Sequence, residues 1–149
     1  MEISPTRLLQ FARQFKKYYT YQFSPLLKQS GLSMREVDVL LFLANNPDYD
    51  TARDITEFRG LSKSQVSQAV DLLAAEGLLQ RMPDTADRRI VHLSVTAEGL
   101  PLAQKAQRIQ ALCGEQLFAG LSPEQGHILH TALEAVLLNT SRLAEEISV

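Results

Sequence analysis

Apolar residues recur along most of this chain at steps of three and four, and only one short stretch alternates. Leu8, Ala12, Phe15, Tyr19 and Leu26 fall at steps of four, three, four and seven, a helical stripe. Ser24-Pro25 is expected to bend or break that first helix, because proline lacks a backbone donor and crowds the preceding turn. Gly31-Leu32 ends the segment. A second helix from Met34 to about Asn45 directs Val37, Leu40, Leu41 and Ala44 inward, and Asn45-Asn46-Pro47-Asp48 stops it. Thr51 or Asp50 caps a short helix to about Arg59, with Ile55 and Phe58 inward. Gly60-Leu61 turns the chain into a helix starting at Ser62, whose apolar face is Val66, Ala69, Val70 and Leu73. Gly77 closes it. Leu78–Met82 and Ile90–Val95, with turn-rich Pro83-Asp84-Thr85-Ala86-Asp87 between them, predict a β-hairpin. Thr96 caps a long stripe of Ala103, Ala106, Ile109, Cys113 and Leu117, whose first turn Gly99 and Pro101 weaken. Beyond a break at Gly120, Pro123 to about Ile147 reads as a last helix with a broad band of Leu129, Ala132, Leu133, Val136, Leu137, Leu143 and Ala144.

The helix starts share one chemistry. Ser33…Glu36, Ser62…Gln65 and Ser122…Gln125 each have the spacing of a capping box, in which serine and the acid or amide three residues on satisfy each other's backbone N–H groups. Pro123 occupies a first helical position, where a missing N–H costs nothing. The expected fold is mainly α with a small β-wing. A short helix, a tight glycine turn and a second helix form a helix-turn-helix, and the hairpin after it makes a winged helix.

Composition sets outer limits. Of 149 residues, 45% are apolar and 21% charged, which excludes a disordered or collagen-like chain. The longest unbroken apolar run, Val39–Ala44, is far short of the roughly 20 residues that span a bilayer, so no membrane association is expected. The first residues do not read as a secretory signal, and Cys113, the single cysteine, has no intrachain partner; together they point to a cytoplasmic setting.

The net charge of −2 argues against nucleic-acid binding until its distribution is examined. Residues 1–35 carry Arg7, Arg13, Lys16, Lys17, Lys28 and Arg35 against Glu2, whereas acids prevail from residue 98 onward. In the second helix of the helix-turn-helix, the face opposite Val66, Val70 and Leu73 offers Lys63, Ser64, Gln65, Ser67 and Gln68. Glutamine can pair with adenine, serine with several bases, and lysine with phosphate or guanine, all within reach of a helix in the major groove. Arg88 and Arg89 lie near the hairpin tip, where guanidinium groups suit a narrow, electronegative minor groove.

These residues carry a resemblance. Asp54–Ser67 (DITEFRGLSKSQVS), Leu72–Arg81 (LLAAEGLLQR) and Pro83–Gly99 (PDTADRRIVHLSVTAEG) resemble the reading head and wing of the MarR family, including its Asp-x-Arg element at Asp87 and Arg89. The similarity is strongest over about residues 50–99 and extends loosely to the whole chain. It implies one domain over 1–149, with a DNA-binding winged helix at 33–99 between dimerisation helices at 1–32 and 100–149. It also implies a homodimeric regulator, expected to be a repressor released by a small-molecule effector. The Ser62 helix would enter the major groove of a pseudo-palindromic operator and Arg89, with Arg88, the minor groove, while Asp87 braces the wing. Apolar faces near both ends supply an independent motive for pairing, since a small winged-helix core cannot cover them.

Other candidates have bland and sharp readings side by side. Tyr18, Tyr19, Tyr21 and Phe23 follow Lys16 and Lys17 and read first as dimer core. The second reading makes Phe15, Tyr18, Tyr19 and His92 the lining of a pocket for an anionic aromatic effector; His92 could equally read phosphate. Cys113 on an apolar stripe reads as a core thiol ahead of a redox sensor. His127 and His130 have a metal-compatible spacing without further ligands, so solvated or packing histidines are favoured and no metal or other cofactor is expected. Asp48/Asp50 and Asp84/Asp87 sit in turn contexts where aspartate serves caps, and no catalytic motif is present; no enzyme activity is expected. Two alternatives stay open: a winged helix that docks proteins without binding DNA, and a regulator triggered by metal or oxidant.

Overall fold

A computed structural model describes residues 4–147. The elements run α1 (Pro5–Ser30), α2 (Met34–Asn45), α3 (Ala52–Arg59), α4 (Lys63–Ala75), β1 (Leu79–Pro83), β2 (Val91–Val95), α5 (Leu100–Leu117) and α6 (Pro123–Ile147). Packing divides them into two compact units, one ending at Cys113 and the other beginning at Gly114.

In the first unit α1 starts on Pro5 and stops at Gly31, whose φ of 73° is the left-handed conformation that glycine adopts without strain. Of the expected bend or break at Ser24-Pro25, the break does not occur, and Pro25 lies inside a continuous helix. The energetics explain it. An interior proline costs about 3 kcal/mol, but Phe23 and Leu26 on either side are buried, each contributing roughly 1.5–3 kcal/mol.

Helix α2 is the centre of the core. Val37, Val39, Leu40, Leu41, Phe42 and Leu43 are all buried, so this helix is covered almost all round rather than along one stripe. Its neighbours are α1, α4 and β2. Glu36 reaches back to accept the Ser33 N–H at 2.6 Å, one arm of the expected capping box.

Helix α3 is capped by Thr51, whose hydroxyl accepts the Asp54 N–H at 3.2 Å while Asp54 accepts the Thr51 N–H at 3.0 Å, a capping box the sequence reading did not single out. Ile55 is buried as expected, but Phe58 is 56% exposed. A three-residue step leaves Phe58 about 60° round the axis from Ile55, so it lies at the rim, its ring 4.7 Å from that of Tyr49 and 6.0 Å from that of Phe42. Gly60 makes the turn at φ 64°. Val66, Ala69, Val70 and Leu73 of α4 are buried, the four positions the pattern predicts.

Strands β1 and β2 pair antiparallel, with Leu79 opposite Val95, Arg81 opposite Leu93 and Met82 opposite His92. The Leu93 N–H also donates to the Asp50 carbonyl at 2.7 Å, tying β2 to the segment entering α3. Thr96 joins the hairpin to α5: its hydroxyl donates to the Gly77 carbonyl at 2.6 Å and accepts the Gly99 N–H at 3.0 Å. On α5, Ala103, Ala106 and Cys113 are buried.

In the second unit Gly120 turns at φ 86°, and the Gln125 side chain accepts the Ser122 N–H at 2.9 Å while Ser122 Oγ accepts the Gln125 N–H at 3.2 Å, opening α6 behind Pro123. No described residue of α6 is buried. Phe118, Leu121, Leu129 and Leu133 line an open apolar groove of about 540 Å³.

Candidate nucleic-acid interface

The first turn of α4 is built by its cap. Ser62 Oγ accepts the Gln65 N–H at 3.1 Å, and Gln65 Oε1 accepts the Ser62 N–H at 3.0 Å. Gln65 therefore holds the helix start with the side-chain carbonyl that would otherwise be free to meet a base edge. Lys63, Ser64, Ser67 and Gln68 are exposed. With Val66, Ala69, Val70 and Leu73 on the core side, they form a continuous polar row on the opposite side.

A groove of about 700 Å³ joins this helix to its neighbours. Ala52, Arg53 and Thr56 of α3, Lys63, Ser67 and Val70 of α4, and Arg81, Val91 and Leu93 of the hairpin line it. The sequence reading missed Arg53, Thr56 and Arg81. Alternation along β1 contained the signal for Arg81, which shares a face with Leu79 and pairs across from Leu93. Its guanidinium is bonded to Asp71.

The wing is organised by two aspartates. Asp84 Oδ2 accepts the N–H groups of Ala86 and Asp87, each at 2.9 Å, which folds the loop. Asp87 then accepts the Arg89 backbone N–H and its Nε through Oδ1 and its Nη2 through Oδ2, all at 3.0 Å. This forked pairing holds the Asp87 carboxyl below the usual carboxylate range. The Arg89 side chain is nevertheless 91% exposed, so its remaining donors are accessible to a ligand. Arg88 beside it is exposed as well.

His92 sits at the base of the wing. Its Nδ1 lies 2.8 Å from Asp50 Oδ1 and its Nε2 lies 2.8 Å from Asp84 Oδ1. Asp50 and Asp84 raise the imidazole's pKa, and His92 together with the loop amides lowers that of Asp84 to about 2. Both carboxylates are thus engaged in local structure.

This architecture is similar to that of solved regulators. A MarR transcriptional regulator from Methanosarcina mazei Go1 superposes with a TM-score of 0.77 at 19% identity, over 93% of this chain and 99% of that one. MepR of S. aureus, solved in complex with DNA, superposes with a TM-score of 0.72 at 19% identity, over 93% and 96%. In sequence, 125 residues are 26% identical to the HTH-type transcriptional repressor IacR of Pseudomonas putida, covering 84% of this chain and 74% of that protein. Residues 30–90 match the sequence profile of the MarR family. The likeness to the MarR family in sequence thus lies in the helix-turn-helix and the first part of the wing. The fold is the one that the sequence predicts, mainly helical with a small antiparallel wing, and it is the fold of those solved regulators.

Away from the wing, the aromatic residues of α1 form a stack along the helix. Ring centroids of Phe11 and Phe15 are 6.2 Å apart, Phe15 and Tyr19 5.9 Å, and Tyr19 and Phe23 4.8 Å. Tyr18 is half-buried. The Tyr19 hydroxyl accepts from Gln110 Nε2 at 3.2 Å, and burial pushes its pKa up. Nearby, Asp38 pairs with Arg59 at 3.1 Å; burial raises the Asp38 pKa against the pull of that guanidinium. Asp38, Asn45, Asn46, Arg59 and Gln110 line a polar cavity of about 100 Å³. The structure thus groups Phe15 with Tyr19 on α1, and engages His92 with Asp50 ahead of α3 and Asp84 of the wing loop.

Cys113 is 1% exposed, and burial pushes its thiol pKa up, so the thiolate is disfavoured. His127 and His130 are exposed on α6, and no group of three or more metal-ligating side chains occurs among the described residues. No helix among them is long and apolar enough to cross a membrane.

Proposed function

We propose that this protein is a homodimeric repressor that reads a pseudo-palindromic operator in the cytoplasm. Each α4 presents Lys63, Ser64, Ser67 and Gln68 to the major groove, with Gln65 fixing the helix start, and Arg88 and Arg89 reach the adjoining minor groove. The observation that carries this reading is the pairing of an exposed polar row on α4 with an exposed Arg89 that Asp87 orients. Helix N-termini attract phosphate through free amides and dipole, and Lys63 and Arg53 along the groove add charge beside α4.

A small aromatic anion is the expected release signal. The stack of Phe15 and Tyr19 with Tyr18 on α1 supplies flat apolar contact, and Lys16 and Lys17 supply charge. Binding there would act on α1 and, through the Tyr19–Gln110 bond, on α5.

Selection from a random duplex pool at low salt, followed by fluorescence anisotropy on the recovered sequence, tests the DNA reading. Arg89→Ala is expected to weaken binding about tenfold and to lower the slope of log affinity against log salt by about one. Unchanged affinity across several salt concentrations would reject the wing contact. Failure to retain any duplex would favour protein docking by the same face.

A further inference from the structure

The contacts of His92 do more than fill a gap between strands. One imidazole links Asp50, the residue before the α3 cap, to Asp84, the residue that folds the wing loop. From Asp84 the connection continues through the Asp87 N–H to the Asp87 carboxylate, which grips Arg89. The base of the helix-turn-helix and the arginine at the wing tip are therefore joined by one unbroken series of bonds.

Two ring nitrogens each at 2.8 Å from a carboxylate oxygen require two N–H donors. Only the imidazolium has two; a neutral ring has one, and its other nitrogen would present a lone pair to a carboxylate. We infer that His92 is a positioning residue of the DNA-reading head, its imidazolium clamping the wing to the entrance of α3 and releasing one side of that clamp when the proton leaves. This rests on the reading of Arg88 and Arg89 as DNA contacts.

The surroundings leave few competing charges. Asp50 comes from the segment before α3 and Asp84 from the wing loop, and both favour the charged ring. Cross-strand from His92 is Met82, which does not titrate. Arg81 lies on the opposite face of the hairpin and is bonded to Asp71, and Arg89 is bonded to Asp87. The His92 pKa is raised, so the clamp is complete at mildly acidic pH and is lost as pH rises through that elevated value.

The clamp is a property of the free protein and is measured there first. Hydrogen exchange of the Ala86 and Asp87 amides, normalised for the intrinsic rate, is compared at about pH 6 and about pH 8.5 in the wild type, His92→Gln and Asp84→Asn. Wild-type protection is expected to fall about tenfold over that range, while His92→Gln stays low and flat. Should either variant fail to fold by circular dichroism, the wild type alone still decides: the His92 ring resonance and the two amide resonances must titrate together. Equal, pH-independent protection in the wild type and His92→Gln, or amides that ignore the ring's titration, would overturn the clamp. On the selected duplex, wild-type affinity is expected to weaken about five- to tenfold over the same range, with His92→Gln insensitive to pH. A wild-type pH response that His92→Gln retains would overturn it too. A wing that responds through His92 in a protein that binds no duplex at any pH would support the clamp and reject the DNA reading instead.

Discussion

Gly99 shows how a single hydrogen can decide a site. A Cβ built there would lie 2.3 Å from the Leu78 carbonyl oxygen, itself the acceptor of the Thr96 N–H. The obstacle is backbone, so neither partner can swing aside. Gly99→Ala is expected to cost about 2 kcal/mol and lower the melting temperature by on the order of 5 °C; a thermal melt that matches the wild type would mean the two segments can part without loss. Sequence pattern makes Gly99 look only like a weak point in a helix start, because the close approach comes from a segment about twenty residues earlier. His92 is similar: its type was visible, but its two aspartate partners depend on folding. Arg89 is the contrast. Its partner Asp87 is two residues away, the spacing of the Asp-x-Arg element that carries the resemblance.

At the scale of elements, local chemistry carried most of the information. The cap of α4 is one case: Ser62 and Gln65 are three residues apart, and the bonds they exchange define where the helix begins. Ser62→Ala is expected to cost about 1 kcal/mol, and Ser62→Gly only a few tenths. Denaturant titration measures that difference. Because Lys63 and Ser64 stand in the same turn, Ser62→Ala should also weaken operator binding more than an equally destabilising Ser33→Ala at α2. Elements misread in sequence failed through tertiary contact. Proline rules predict a break at Pro25, but burial of Phe23 and Leu26 keeps α1 continuous. A four-residue inward face understates α2, since neighbours cover it from several sides. Phe58 carries the inward pattern of a longer helix, yet two turns leave it at the rim beside Tyr49.

For the whole molecule, the apolar surface left uncovered is the strongest constraint. On α6, Leu133, Val136, Leu137 and Leu138 are exposed, and on α1 so are Leu8, Leu9 and Phe11. The helical spacing of Leu8, Leu133, Val136 and Leu137 was legible, but periodicity states only that a face is apolar, not which surface covers it. A second copy of the chain is the proposed cover, and two-fold symmetry could set two α4 helices roughly 34 Å apart, one turn of duplex. Replacing Leu133 and Leu137 by glutamate places two carboxylates in that contact, where desolvating them costs several kcal/mol. The wild type is expected to sediment as a dimer and to melt at a temperature that rises with protein concentration. The Leu133→Glu/Leu137→Glu variant should sediment as a single chain and melt independently of concentration. Its operator affinity should fall about a hundredfold, because the second half-site is no longer tethered to the first. A wild type that sediments as a single chain at every concentration would remove the two-fold arrangement, and with it the expectation of a palindromic operator.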